Sequence, residues 1–242
     1  MIKKKTIIVM LCLMVASVGG GFYLYHRHQQ KEELARRALC WSALQKRLAQ
    51  EVSRFPGEAG IVVKDLKHGW VISFNQDVPI AAASLVKIPL MAAIFASAQD
   101  GTTSLTRNIT LKESDKVGGS GILKAQPAGV VYSVEQLIAI MIAHSDNTAT
   151  NLFIAMLGYD YLNAFFKRLG LQHTSIERAM LDFRFRRKGI ENYTTAYDMA
   201  LVLESFYRKT FLNPSVSNKC LWLLKQQKIN DRIPALLPQG IE

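Results

Sequence analysis

The chain has 242 residues, and 49% of them are apolar. This is enough for one ordinary domain with an appendage, or for two small domains, and it excludes a disordered chain. The net charge is +11, with seven basic and two acidic residues within positions 1–37. The moderate charge of the remainder suits an anionic envelope or an anionic substrate, or simply solubility. No nucleic-acid partner is expected.

The N-terminal segment has the pattern of a membrane anchor. Three lysines at positions 3–5 precede residues 6–25, which carry no charge. Twenty helical residues rise about 30 Å, the thickness of a bilayer core, and the lysines favour a cytoplasmic N-terminus. We therefore predict a single-pass anchor in a bacterial cytoplasmic membrane, with the rest of the chain facing the periplasm or outside. Small residues at positions 16–21 also allow a cleaved signal and secretion, although no clear A-x-A site is present.

The remaining elements follow in chain order. After a polar stalk at 26–37, the patterns predict a helix at 38–55, a hairpin of strands 60–66 and 70–74, a buried helix at 84–98, loops with short strands at 102–129, helices at 133–143, 148–157 and 159–169, an irregular basic segment at 183–192, and helices at 194–208 and 218–228. Early strands before a long helical middle indicate an α+β, mixed α/β layered fold. We assign residues 1–37 to the anchor and stalk, and residues 38–242 to one domain that we expect to be monomeric.

Three cysteines lie far apart in the sequence, at positions 12, 40 and 220. Their separation gives no metal-ligand spacing. Cys40 and Cys220 could pair in an oxidising compartment, but two free thiols are the favoured interpretation.

The first candidate for chemistry is Ser84 with Lys87, an S-x-x-K tetrad at the start of the buried helix. Residues three apart lie on one helix face, so the lysine amine can reach the serine hydroxyl. A lysine in an apolar pocket loses enough basicity to accept the serine proton. The alternative is a helix-capping Ser84 with a solvated Lys87, and the tetrad by itself does not decide between them.

The second candidate is Ser145-Asp146-Asn147, which follows the first serine by 61 residues. On its own, S-D-N favours a polar cap before the next helix. The order and spacing of S-x-x-K and S-D-N together are more informative than either motif.

The two motifs and their surroundings resemble the class A β-lactamases and their penicillin-binding relatives, which carry S-x-x-K, S-D-N and K-T-G. The similarity extends to four stretches, at residues 82–89, 119–123, 141–151 and 192–196. It implies a serine β-lactamase or D,D-peptidase type of fold, a helical subdomain beside a sheet flanked by helices. It covers the chain from about residue 38 to its last residue.

The resemblance assigns a role to each motif residue. It makes Ser84 the acylated nucleophile, with its backbone N–H as an oxyanion donor, and Lys87 the general base. Ser145 would relay a proton to the leaving amine, and Asn147 would hold Lys87 and the substrate amide. Asp146 is expected to cap and orient. No metal or cofactor is implied.

Two features depart from the family pattern. No K-T-G or K-S-G occurs among the 242 residues, so we expect the C-terminal strands to be missing and lactam turnover by the chain as given to be inefficient. The family's deacylating glutamate also lacks a clear counterpart. Aligning Leu181 and Asp182 with the family's Leu-Asn places Arg178 at that position. Glu177, one residue away, is the candidate for the deacylating carboxylate, and a surface carboxylate is the equal alternative.

The predicted function is a serine hydrolase that forms an acyl-enzyme with β-lactams or with D-Ala-D-Ala-like peptidoglycan amides. One alternative is a wall D,D-peptidase or penicillin-binding protein with slow deacylation, and a second is a non-catalytic envelope-binding domain that keeps the fold. A run of Arg184, Arg186, Arg187 and Lys188 is interpreted as a solvated face, with contact to an anionic wall polymer as the other interpretation.

Overall fold

The computed structural model describes residues 4–231 and 233–236, with side chains for residues 19–231 and 235–236. Two compact units divide the chain, and the second begins at Glu58. The domain boundary at residue 38 that the sequence indicates remains a prediction.

The first unit consists mainly of helix α1, Lys4–Arg54, which has 51 residues. Residues 26–37, predicted as a stalk, are helical throughout, and pairs one turn apart such as Glu33 and Arg37 (2.6 Å) stabilise this exposed stretch. At 1.5 Å per residue the helix extends for about 77 Å.

No helix in the part of the chain that the structure describes is both long and apolar enough to cross a bilayer. Residues 6–18 of the predicted anchor lie outside the residues whose side chains are described. The anchor therefore remains a prediction.

The second unit combines seven helices with six short strands among its described residues. The helices are α2 (Lys87–Gln99), α3 (Val134–Ala143), α4 (Asn147–Leu157), α5 (Tyr159–Arg168), α6 (Phe183–Arg187), α7 (Ala196–Tyr207) and α8 (Pro214–Lys225). The strands are β1 (Ile61–Asp65), β2 (Trp70–Phe74), β3 (Ile80–Ala81), β4 (Asn108–Thr110), β5 (Val131–Ser133) and β6 (Tyr193–Thr194). The mixed α/β class predicted from the sequence is confirmed.

The strands of this unit form three separate antiparallel pairs in the described residues, in the orders β1-β2, β3-β6 and β4-β5. The predicted hairpin is β1-β2, in which Val63 lies opposite Ile72. Its turn ends at Gly69, whose φ of +74° suits glycine. Lys64 Nζ lies 2.7 Å from Glu204 Oε2 of α7 and ties the hairpin to the helical layer. The hairpin therefore packs on a helix, which a sheet of only two strands needs in order to be stable.

The core surrounds α2, which is apolar on nearly all sides and buried along most of its length. Helices α3, α4, α5, α7 and α8 pack around it. Helix α3 starts at a capping box, which the spacing of Ser133 and Gln136 in the sequence indicates: Gln136 N–H donates to Ser133 Oγ (3.1 Å), and Ser133 N–H donates to Gln136 Oε1 (2.8 Å). The core thus holds the start of α2 and the start of α4 in fixed positions.

Two local predictions need correction. The segment 183–192, expected to be irregular, contains the five-residue helix α6, because Asp182 accepts hydrogen bonds from the N–H groups of Arg184 and Phe185. The helix predicted from residue 84 begins instead as a 3-10 helix, Ala83–Val86, and becomes α-helical at Lys87.

Cys40 and Cys220 are both free thiols, and burial raises the pKa of Cys220 to about 12.

Candidate active site

The 3-10 turn before α2 presents Ser84 and buries Lys87. Ser84 is exposed, whereas only 3% of Lys87 is accessible to solvent. Contacts to a distant part of the chain hold this turn in place: Ala82 N–H donates to the carbonyl of Asn192 (2.7 Å), and strand β3 pairs with β6. An accessible nucleophile next to a base is the arrangement that nucleophilic acyl transfer needs.

The four motif residues meet in one cluster. Lys87 Nζ donates to Ser145 O (2.6 Å), Ser145 Oγ (2.9 Å) and Asn147 Oδ1 (3.0 Å), and it lies 3.3 Å from Ser84 Oγ. Ser145 Oγ donates to Ser84 Oγ over 2.9 Å. An ammonium has three protons for these four acceptors, so the contact to Ser84 is the longest and the weakest. A neutral Lys87 could accept the Ser84 proton along the same line.

Burial lowers the pKa of Lys87 to about 8, and the negative charge of Asp146 opposes that decrease. A substantial share of Lys87 is then neutral slightly above pH 7, which an exposed lysine would not be. The amine has a pKa suited to a general base near neutral pH.

The S-D-N turn is held by Asp146, which is 1% exposed. One carboxylate oxygen of Asp146 accepts from Ala149 N–H (2.9 Å) and caps α4, while the other accepts from the N–H groups of Ile122 (2.7 Å) and Leu123 (2.8 Å). This arrangement confirms that Asp146 caps the helix, and it fixes Ser145 at a φ of +50°.

Gly121 makes this close approach possible. A Cβ at this position would lie 2.2 Å from Asp146 Oδ2, and the φ of +117° favours glycine as well. Asn147 is fixed nearby, with its N–H bonded to Ser120 O (3.1 Å) and its Nδ2 to Gly118 O (3.1 Å). The loop at 118–123 and the S-D-N turn therefore form one rigid support for Lys87.

The cluster contains the components of an acyl-transfer site. Ser84 Oγ can attack a carbonyl while Lys87 takes its proton, and Ser145 lies within hydrogen-bond distance of both. The backbone N–H of Ser84 lies in the first turn of the 3-10 helix, where N–H groups have no partner within the helix, so it is placed to stabilise an oxyanion.

A long loop at 175–192 follows α5, and the structure places Glu177 on its exposed side. The N–H of Glu177 donates to Asn192 Oδ1 (2.8 Å). Within the described residues, its carboxylate makes no hydrogen bond to Ser84, Lys87 or Ser145. The structure brings together four of the five candidate residues and leaves Glu177 apart from them.

Arg178, aligned with the family's glutamate from sequence, closes the neck of this loop. Its Nη2 lies 2.5 Å from Glu191 Oε1, and both side chains are largely buried. Burial acts to raise the pKa of Glu191, but the Arg178 hydrogen bond, the Asn192 N–H and the charges of Arg178 and Arg186 outweigh it and hold that pKa below its ordinary value. Arg178 thus stabilises the loop, and the guanidinium bonds to Glu191 instead of Ser84 or Lys87.

The part of the loop nearest S-D-N is apolar. Asn151, one turn after Asn147 on α4, accepts from Met180 N–H (2.7 Å) and donates to Met180 O (3.2 Å). A Cβ placed on Gly119 would lie 2.9 Å from Asn147 Nδ2 and 3.0 Å from Leu181 Cδ1, so the Leu181 side chain lies beside the cluster. Leu181 has a φ of +64°, which costs about 1 kcal/mol or more for a non-glycine residue.

Asp182 follows Leu181 and uses its carboxylate within the loop. It caps α6 and contacts Arg184, whose hydrogen bond is the main cause that lowers the pKa of Asp182. Residues 179–184 line an open cavity of about 420 Å³ together with Val117 and Asn151. The wall of this cavity presents apolar side chains next to the S-D-N turn.

Several residues that shape the site carry no recognisable signal in the sequence. Asn151 and Asn192 fell within stretches that resemble the family, yet their contacts to the loop join residues 29 and 14 positions apart and have no local signature. The glycine at 121 was part of a Gly-Ser-Gly sequence, which indicates a special backbone without indicating its partner. No group of His, Cys, Asp and Glu in the described residues could hold a metal ion.

The fold and the Ser84 cluster define the class of this protein as a serine β-lactamase-like hydrolase. A family model described as the Beta-lactamase enzyme family matches residues 43–242. The β-lactamase of Sphaerobacter thermophilus is 32% identical with a TM-score of 0.74, over 83% of this chain and 74% of that one. PBP-A is 28% identical with a TM-score of 0.74, over 82% and 74% of the two chains. An ancestral class A β-lactamase is 29% identical with a TM-score of 0.73, over 81% and 76%.

The chain belongs to the β-lactamase enzyme family, as the motifs predicted.

Proposed function

We propose that the protein is acylated at Ser84 by β-lactams or by D-Ala-D-Ala-like amides and hydrolyses the acyl-enzyme slowly. The observation that supports this is a contrast: the groups needed for acylation are assembled around Lys87, whereas no carboxylate of the described loop 175–192 is bonded to them. This is the behaviour of a penicillin-binding protein more than of an efficient β-lactamase.

Acylation is supported by distances and by charge. Ser84, Lys87 and Ser145 lie within 3.3 Å of one another, and the lowered pKa of Lys87 makes proton transfer possible near neutral pH. Among the similar structures, a PBP-A mutant that is 28% identical to this chain is an acyl-enzyme complex with penicillin G.

Slow deacylation follows from the loop. Fast hydrolysis of an acyl-enzyme ester needs a general base within hydrogen-bond reach of a water aimed at the acyl carbon, and in the class A β-lactamases this base is a glutamate. Glu177 is exposed, Asp182 caps α6, and Leu181 lies beside Asn147. An apolar side chain at this place can neither activate nor hold such a water.

The test is labelling of the full-length protein with a fluorescent penicillin, followed by mass spectrometry of the intact protein and its peptides. We expect one adduct on Ser84 that persists after free penicillin is removed, and none in Ser84→Ala. The variant Ser73→Ala, at an exposed strand position, is the matched control and should label as the wild type does. Label on another serine, or no label, contradicts the proposal.

A burst of acylation followed by a low steady rate separates this proposal from efficient β-lactam hydrolysis. Stopped-flow measurement with a chromogenic cephalosporin resolves the two phases. A kcat/KM of about 10⁴ M⁻¹s⁻¹ or higher without an accumulating adduct would identify a true β-lactamase. A non-catalytic envelope-binding domain would show neither phase.

We further propose that residues 6–25 anchor the protein in the cytoplasmic membrane, with the second unit outside. Twenty uncharged residues behind three lysines support this location. Fractionation with protease protection tests it, and a soluble periplasmic protein with a new N-terminus near residue 20 would show that the segment is a cleaved signal.

A further inference from the structure

The loop 175–192 carries a basic and aromatic surface that the proposed reaction does not use. It consists of Phe183, Arg184, Phe185, Arg186, Arg187 and Lys188, and we call it the α6 patch. All six residues are exposed, with Phe183 at 50% and Phe185 at 42% of their maximum accessible area. Large exposed rings between four cations are unusual for a face that only meets water.

The positive charge of the α6 patch is only partly neutralised. The carboxylates nearest to it are Asp182, which lies 3.4 Å from Arg184, and Glu191, which lies 3.6 Å from Arg186. Glu191 is also bound to Arg178, so it serves two cations. Neither Arg187 nor Lys188 has an ion pair among the described residues. Two cations thus remain available to an external anion.

The patch is held in a defined shape. Asp182 caps α6 at one end, and the Arg178–Glu191 pair closes the loop behind it. Lys188 Nζ lies 5.9 Å from the centre of the Phe185 ring. A ligand would therefore meet a helix whose backbone is already fixed and a Lys188–Phe185 pair that is already in contact, which reduces the entropic cost of binding.

We propose that the α6 patch binds an anionic polysaccharide, a sugar chain bearing carboxylate, sulfate or phosphate groups. The cations match its charges, and the Phe185 ring beside Lys188 offers an apolar face to the C–H groups of sugars. The positions of the two rings disfavour a bilayer as the partner. Phe183 and Phe185 are two residues apart on a helix, so they point about 160° away from each other and cannot enter one flat interface together.

Binding at the α6 patch would also hold the sugar chain close to the Ser84 cluster of the protein. Phe183 and Arg184 line the same cavity as Met180 and Leu181, and Leu181 lies beside Asn147. A bound polymer would keep the enzyme on a wall-associated scaffold, while small soluble substrates would not need the patch. Acylation by a soluble penicillin should accordingly be independent of it.

The experiment measures binding of the full chain, in detergent solution, to fluorescently labelled dextran sulfate by anisotropy. Uncharged dextran and vesicles of phosphatidylglycerol with phosphatidylcholine are the comparison probes. We expect Arg187→Gln combined with Lys188→Gln to weaken binding to dextran sulfate about tenfold at low ionic strength. Phe185→Ser should weaken it as well, and this loss should persist at higher salt, where charge contributions are screened.

The matched control is Arg107→Gln combined with Lys167→Gln, which removes one arginine and one lysine from exposed positions elsewhere in the second unit. It should change the affinity by less than about twofold. Equal losses in both double variants would show attraction by net charge alone and overturn the proposal. Absence of binding, equal binding to uncharged dextran, or tighter binding to the vesicles would overturn it too. Unchanged penicillin labelling in the Arg187 and Lys188 variant separates a binding defect from unfolding.

Discussion

The Ser84 cluster and the loop 175–192 are neighbours, but their polar contacts have different roles. In the cluster, polar groups of Ser145 and Asn147 converge on the buried amine of Lys87. Each of these contacts involves Lys87 Nζ, the atom that could take part in proton transfer. In the loop, the strongest polar contacts, such as Arg178 with Glu191 and Asn151 with Met180, maintain the backbone instead. The comparison indicates that the contacts of the cluster arrange groups for proton transfer, whereas the contacts of the loop maintain the shape of its backbone.

The largest effect on the free energy of unfolding is expected from a single methyl group added at Gly121, next to the S-D-N turn. In Gly121→Ala the new Cβ would meet Asp146 Oδ2 at 2.2 Å, which must displace the S-D-N cap. We expect a loss of about 2–4 kcal/mol in the free energy of unfolding, together with slower acylation. Urea unfolding and penicillin labelling measure the two effects.

Gly129→Ala is the control for that substitution. Gly129 has a φ of +91° but no atom within 4 Å of a Cβ, so it reports backbone strain alone. Equal destabilisation by both changes would mean that the contact with Asp146 is unimportant.

Breaking the ion pair between Arg178 and Glu191 at the neck of the loop should have the next largest effect on the free energy of unfolding. Glu191→Gln leaves Arg178 largely buried without its carboxylate, and we expect it to cost about 1–3 kcal/mol. Because the folded-state pKa of Glu191 lies below its ordinary 4.5, the pair stabilises the protein above about that pH, and its contribution is lost as the pH falls through the lower folded value.

The wild type should therefore exceed Glu191→Gln in stability at pH 7 and approach it in strong acid. Unfolding curves at several pH values measure this difference. Glu113→Gln, which breaks the exposed pair with Lys116, is the control and should cost about 0.5 kcal/mol or less. A constant difference between wild type and Glu191→Gln at all pH values would contradict an ionic role for Glu191.

The pH dependence of acylation tests the chemistry of the cluster. With a pKa of about 8, Lys87 is about one tenth neutral at pH 7 and about half neutral at pH 8. If neutral Lys87 is the base, the acylation rate should rise about fivefold over that interval and level off above pH 9. A flat profile, with the fold intact by circular dichroism, would exclude Lys87 as the titrating base.

The smallest expected effect is that of Glu177→Gln. Because Glu177 is exposed and its carboxylate has no bond to the cluster, the lifetime of the acyl-enzyme should change by less than about twofold. Mass spectrometry of the adduct over time measures the lifetime. An adduct that accumulates only in Glu177→Gln would identify Glu177 as the deacylating base and refute our description of the loop.

The sequence by itself determined the hairpin, the capping box of α3 and the two motifs of the cluster. The hairpin and the capping box depend on short-range geometry, namely two strands joined by a turn that ends at Gly69 and a serine three residues before Gln136. The roles of Ser145 and Asn147 came from the resemblance to the family. The pairing of S-x-x-K with S-D-N also indicated the family, because two motifs in the right order are far more specific than either alone.

Only the tertiary structure decided what the loop presents to that cluster. From sequence, Arg178 was aligned with a catalytic glutamate; in the structure, its guanidinium binds Glu191 and Leu181 lies beside Asn147. The positions depend on hydrogen bonds to Asn151 and Asn192, which are distant in sequence. On an irregular backbone, a shift of one residue turns a side chain from the site to solvent, and no local periodicity records that direction.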